Sequence, residues 1–279
     1  MKKKLYEFRD FIVNTIKIII HSDVFDRAAS LSFATLLGLV PFISVVALIL
    51  HEFNFFNLLS PAELGLKKIG ETFENKELIA DVAIALKQFV EHAGNLTGVS
   101  LFGLILSTIL LLRDLELNLR NIFQPKKFTL LNRLELWGLV LILIPLFIGV
   151  MVSGISGSFV VLIKVMHMPE EILSLMDKWV GFSLLALIIS LIFYSSARTV
   201  IKFKEALLGG MVASFGIFLT QFGLEWWTNN MSTYSKIYGA FVFIPVFLLY
   251  VEFFWISILF GASCAKGICE NKEFHQDWF

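Results

Sequence analysis

A single carboxylate, Glu252, falls about midway along the stretch 237–265, which holds no other Asp, Glu, Lys or Arg. An acid kept charged at the centre of a membrane helix costs about 2.5–3.5 kcal/mol, so it either pairs with a cation or takes up a proton. That is the chemistry of a coupled transporter, and it makes Glu252 the best single functional candidate in the chain. The structural alternative carries equal weight: a protonated or hydrogen-bonded glutamate that holds helices together. No membrane-length apolar stretch has a Lys or Arg in its interior, so a partner would reach in from an end, and Arg113 and Arg198 are nearest by depth.

A second set of candidates sits at the edges of the apolar stretches. Asp26-Arg27 precedes the first, Arg113-Asp114-Leu115-Glu116 follows the second, and Arg198 follows the fourth. Such charges mark a membrane boundary more often than a gate, and salt-bridge locks on the cytoplasmic side are the sharper alternative.

Catalytic constellations are absent from the sequence. The five histidines (His21, His51, His92, His167 and His275) are scattered at ends and loops, with no metalloprotease helix, nucleophile elbow or phosphate-binding loop. Cys264 and Cys269 are five apart, on different faces of a helix, and read as small apolar fillers rather than as a disulfide or zinc pair. No catalytic, cofactor-binding or metal-binding residue is assigned, and no enzyme is expected.

The elements that must position these residues follow from the apolar pattern. About 20 apolar residues cross the hydrocarbon core, and six windows of that kind appear: 28–50, 92–112, 137–163, 179–197, 206–224 and 237–265. With the N-terminus inside, the inner segments hold 16 of the 23 Lys and Arg and the outer segments hold 7. Cations favour the cytoplasmic side, so both termini are expected there. The fold class is therefore all-α: a polytopic membrane protein with six transmembrane helices in a single domain, 1–279.

The flanks carry helices of their own. In the cytoplasmic N-terminus, 1–27, Leu5, Phe8, Ile12, Ile16, Ile19 and Ile20 share one broad helical face beside Lys2, Lys3 and Lys4. That describes an interfacial helix on the inner leaflet drawn to anionic lipid, or equally one packed under the bundle. The longest connection, 51–91, offers a capping box at Ser60-Pro61-Ala62-Glu63 and an apolar stripe from Leu78 to Val90. Two short outer helices between spans 1 and 2 are expected, as a cap over the bundle. Residues 266–279 form a cytoplasmic tail. Pro41, Pro145 and Pro245 fall inside spans and predict kinks, while Gly149, Gly154, Gly157, Gly209 and Ala213 predict close helix contacts.

Composition excludes some functions. With 57% apolar and 16% charged residues, mean hydropathy +0.79 and 23 cations against 23 acids, there is no global positive field for nucleic acid.

At the last two spans, Tyr234-Ser235-Lys236-Ile237-Tyr238-Gly239, then Ile244-Pro245, Trp255 and Gly261-Ala262, resemble the closing signature of the YihY/BrkB membrane family. Asp26-Arg27-Ala28-Ala29-Ser30-Leu31-Ser32-Phe33, with Thr35, Leu36 and Pro41, looks like its opening motif, and Leu115-Glu116 through Ile122-Phe123 and Gly209 fit its middle. The resemblance implies a six-span bacterial inner-membrane protein. Its activity is uncertain, the label ribonuclease BN being a misassignment that the residues here also disfavour. Three departures stand out: Gly261-Ala262-Ser263 replaces a usual Gly-Ala-Glu, Glu252 stands where an aromatic is expected, and Ser195-Ser196-Ala197-Arg198 lacks a usual Pro.

The sequence thus reads as a transporter or lipid-handling envelope factor of the inner membrane, taking an unknown small-molecule or lipid substrate near Glu252. The alternative is a non-transporting scaffold or assembly protein. Its partners are the lipid bilayer and anionic lipid at the N-terminus, without nucleic acid, and a homo-oligomer is left open.

Overall fold

The computed structural model describes residues 2–52, 98–125, 128–144, 170–198, 200–230 and 243–276. They form seven helices and no strand: α1 (Lys2–His21), α2 (Val24–Glu52), α3 (Gly98–Phe123), α4 (130–144), α5 (Glu170–Ala197), α6 (Phe203–Asn230) and α7 (Phe243–Gln276). Among the described residues three stretches are long and apolar enough to cross a membrane: Trp179–Ala197, Phe203–Leu224 and Val246–Glu270. The windows 28–50 and 92–112 meet α2 and α3, the latter described from residue 98, and the window 137–163 is described as far as residue 144. The connection 51–91 beyond Glu52, Pro145, the glycines of the third span, Tyr234, Tyr238 and Gly239 lie outside the described residues.

Helices here outrun their apolar windows. The apolar second window stops at residue 112, yet α3 continues to Phe123 because Leu115, Leu119, Ile122 and Phe123 keep an apolar face turned to the core. α7 likewise runs past the expected end of its span to Gln276. These extensions, with the ends of α1, α2, α5 and α6 that meet them, make one charged end.

The chain divides into two compact units. The first holds Met1–Leu36, Leu112–Val140 and Phe182–Phe279, the second Leu37–Leu111 and Leu141–Gly181. In the second, Gly38 of α2 faces Leu111 of α3, where a Cβ would sit in ordinary contact at 3.4 Å.

In the first unit α7 packs most extensively on α6, through the small residues expected to form a seam. A Cβ placed on Gly209 would lie 2.6 Å from the Gly261 carbonyl oxygen, and one on Gly261 would lie 2.6 Å from the Ala213 Cβ. Without side chains the two backbones meet, which is how helices associate when lipid removes the hydrophobic drive between them. Gly210, one residue on, serves α5 in the same way at the Ala186 carbonyl. The indole Nε1–H of Trp255 donates to the Thr35 hydroxyl at 2.9 Å, joining α7 to α2, and Thr35 in turn donates to the Leu31 carbonyl at 2.7 Å.

α1 docks on α7 with one face and leaves the opposite one open. Thr15 lies against Gly267 and Ile18 is buried. At 100° per residue, Ile12, Ile16 and Ile20 point the other way, and they are 39%, 49% and 70% exposed. The segment thus packs on α7 as one of the two expectations had it, and Ile12, Ile16 and Ile20 of the apolar face named from sequence are not the residues that pack.

Three helix ends stop without glycine. Asp23 after α1, Gln124 after α3 and Arg198 after α5 adopt φ of 47°, 49° and 54°. In each the left-handed residue caps the end, the Gln124 amide donating to the Arg120 carbonyl at 2.8 Å and the Arg198 amide to the Tyr194 carbonyl at 3.0 Å. Side chains there cost about 1–2 kcal/mol relative to glycine. All three lie at the charged end.

Candidate functional site

The charged end is built from three linked groups, all within the first unit. Arg27 stands in the first turns of α2. Its Nε donates to the Ser22 carbonyl at 2.8 Å and its Nη1 to Asn118 Oδ1 at 3.2 Å. Asn121 is assigned the amide orientation in which its oxygen accepts from Arg27 Nη2 at 2.8 Å. Asn118 and Asn121 are three apart on α3, so one helical face presents both. Every acceptor on Arg27 is neutral, and no described carboxylate pairs with it.

Glu116, one turn before Arg120 on the same helix, is fully buried at 0% exposure. Arg133 of α4 holds it with Nε to Oε2 at 2.8 Å and Nη2 to Oε1 at 3.1 Å, while Arg120 Nη1 reaches Oε1 at 3.3 Å. The two parallel bonds are the geometry for which a planar guanidinium is suited. They raise the Arg133 pKa above its ordinary value, first by hydrogen bonding and second by charge. Both arginines also lie near aromatic rings, Arg120 at 4.8 Å from the Phe128 centroid and Arg133 at 5.8 Å from that of Trp137. The Arg120 Nε is buried without a hydrogen-bond partner.

In the third group Arg198 forms an ion pair with Glu135, and Ser195 donates to the same carboxylate at 3.5 Å. This ties the end of α5 to α4. At the start of α6, Glu205 accepts from the Lys202 amide at 2.9 Å, a capping box closed from the N3 side. The Cys269 thiol of α7 donates to the Val200 carbonyl at 3.1 Å.

Between the first two groups opens a cleft of about 520 Å³, lined by Arg27, Leu117, Arg120, Asn121, Gln124 and Pro125. Two guanidiniums and two carboxamides face it, and no carboxylate lines it. Glu116 accepts from Arg120 but is itself fully buried.

The candidates named from sequence distribute unevenly. Arg27 and Glu116 enter the site, while Asp26 and Arg113 are exposed and Asp114 contributes its backbone carbonyl to Asn118 at 2.8 Å. Arg198, considered as a partner for Glu252, is taken by Glu135 instead. Glu252 is half-buried on the stripe of α7 that carries the exposed Leu248, Leu249 and Phe253, and it makes no hydrogen bond or ion pair with a described residue. Pro41 and Pro245 fall within α2 and α7. Sequence reading missed Asn118, Arg120, Asn121, Gln124, Arg133 and Glu135. The i,i+4 spacing of Glu116 and Arg120 was a legible signal; nothing local pointed to Arg133.

The family model described as virulence factor BrkB matches residues 15–277. The chain belongs to the BrkB family. Among its curated relatives, a UPF0761 membrane protein of Methylibium petroleiphilum is 30% identical over 85% of this chain and 57% of its own length. One of Laribacter hongkongensis is 29% identical over 86% of this chain and 57% of its own. A third, of Haemophilus influenzae, is 28% identical over 88% of this chain and 90% of its own. The chain thus spans just over half the length of the first two. No solved structure matches. In this BrkB-family chain the opening and closing signature blocks meet in space, since the Trp255–Thr35 hydrogen bond joins them.

Proposed function

We propose that this BrkB-family protein is a six-span protein of the bacterial inner membrane, both termini in the cytoplasm, acting as a transporter or lipid-handling envelope factor. The observation that carries the reading is the cation-lined cleft at one end of an otherwise apolar helical unit. Helices that served only to anchor a scaffold would have no need to hold Arg27 on neutral acceptors beside an open cleft. The concentration of Lys and Arg in the segments at that end, 16 of the 23, supports placing it in the cytoplasm. The open stripe of Ile12, Ile16 and Ile20 then lies in the inner leaflet, where the basic sequence Lys2-Lys3-Lys4 favours anionic lipid. Glu252 is the intramembrane group that a coupled mechanism would use.

Two measurements test this on the full chain in proteoliposomes. One follows a fluorescent phosphatidylglycerol between leaflets by dithionite quenching; the other follows uptake of radiolabelled glycerol phosphate. Movement of either probe above protein-free vesicles, lost in folded Glu252→Gln, is expected. Movement of neither would count against the reading. A topology reporter fused after residue 230 that proved cytoplasmic would overturn the six-span orientation.

A further inference from the structure

We infer that the cleft beside Arg27 is a binding site for a phosphate ester, whether the headgroup of a lipid or a free metabolite. The inference rests on the transport or lipid-handling reading for its role but not for its chemistry. A guanidinium has five N–H donors. The three nitrogens of Arg27 engage Ser22, Asn118 and Asn121, leaving two N–H groups on a side chain already locked in place. Arg120 spends one donor on Glu116 and its Nε has no hydrogen-bond partner.

Charge points the same way. Arg120 and Arg133 both pair with the buried carboxylate of Glu116, while Arg27 pairs with no described carboxylate. The surplus faces the cleft. Asp23 and Asp26, nearest to Arg27 in the chain, are exposed and make no ion pair with it. A planar fork held rigidly by neutral oxygens is suited to the paired oxygens of a phosphate. The exposed carboxamide of Gln124 adds donors, while Leu117 and Pro125 offer an apolar wall. The cleft is broad and open, so a phosphate carrying an ester substituent reaches the Arg27 fork without being excluded. The left-handed Gln124, φ 49°, keeps the lip of the cleft in a conformation that side chains seldom adopt, and such residues concentrate at ligand sites.

The test is calorimetric titration of the full chain in a neutral detergent with glycerol phosphate, dioctanoyl phosphatidic acid and, as the control lacking the phosphate, glycerol. Saturable binding of either of the first two is expected, weakened roughly tenfold or more in Arg27→Gln, as loss of a charged hydrogen-bonding group predicts. Arg113→Gln removes one exposed charge from α3, outside the cleft, and leaves binding unchanged. Gln124→Glu places a carboxylate on the lip without touching the supports of Arg27, so it weakens binding even if Arg27→Gln fails to fold. Glycerol phosphate binding as well as the lipid identifies the ester itself as the ligand; binding of the lipid alone identifies a lipid ligand. Absence of saturable binding, or binding indifferent to Gln124→Glu and Arg27→Gln alike, overturns the site. Binding intact with neither probe moving in proteoliposomes overturns the transport reading alone.

Discussion

Arg133 grips Glu116 through both edges of its guanidinium, at 2.8 and 3.1 Å, across 17 residues of chain and from one helix to the next. The carboxylate is wholly buried while Arg133 remains about a third exposed, 35%. The pair therefore fixes α4 to α3 and sets where Arg120 can point.

Glu116→Gln should destabilise the protein by about 2–3 kcal/mol, less than for a fully buried ion pair because both arginines retain some water. Arg133→Lys should cost part of that, since an ammonium cannot span two oxygens. Thermal unfolding in detergent reads both. The Arg133 pKa is raised on folding, so its share of stability is present at all pH below its unfolded value and is lost only as pH rises through the higher folded value. Stability differences between wild type and Arg133→Lys should stay level through the neutral and mildly alkaline range; a steep fall there would contradict the pairing.

Gly209→Leu should separate α6 from α7 and cost about 1–3 kcal/mol or more, because even a Cβ would stand 2.6 Å from a backbone oxygen. Gly223→Ala, with nothing within 4 Å of the added carbon, should be neutral or gain about 0.5–1 kcal/mol from helix propensity. Equal effects of the two substitutions on melting temperature would sink the seam.

Trp255→Phe keeps an aromatic ring but loses the donor to Thr35 and the bulk of the second ring. The hydrogen bond accounts for about 0.6–1 kcal/mol of the loss, the range for such bonds between membrane helices, and the cavity adds to it. Thr35→Val should cost more, because it strands the indole N–H, and Thr35→Ser should restore it. A double-mutant cycle with no coupling between the positions would show that the bond adds nothing.

Gln124→Gly should be stabilising by up to about 1 kcal/mol, the about 1–2 kcal/mol relief of a left-handed side chain being partly offset by the backbone entropy of glycine, whereas Gln124→Val should destabilise by a similar amount. Denaturant or thermal midpoints compare them directly. If glycine were the worse of the two, the conformation at the end of α3 would not be the one described.

Much of the scaffold was legible beforehand. Runs of apolar residues long enough for membrane helices coincide with α5, α6 and α7 because length and hydropathy are local properties. The small residues Gly209 and Ala213, spaced one turn apart, do mark a seam, since that spacing puts them on one helical face. Helix ends were less legible: α3 continues through the charges at 113–116, where a membrane boundary was expected to end the span, because its apolar face persists beyond them.

The site was only half legible. Asp26, Arg27, Arg113, Asp114, Glu116 and Arg198 stood out together as boundary charges, yet just Arg27 and Glu116 join the cleft or support it, while Arg198 serves a different pair. Arg133 was invisible because its partner depends on how α4 turns back against α3, which no spacing rule within one helix encodes.

By itself the sequence determined that this is a helical membrane protein of the BrkB family, with cations concentrated at the segments between apolar stretches and one acid left inside, at Glu252. Those are matters of composition and period, and each residue carries them wherever it is placed. Which charges meet was decided by the tertiary structure alone. An ion pair between helices depends on distance and burial, so only the packed ends could separate Glu116, neutralised in the core, from Arg27, held on neutral oxygens and open to a ligand.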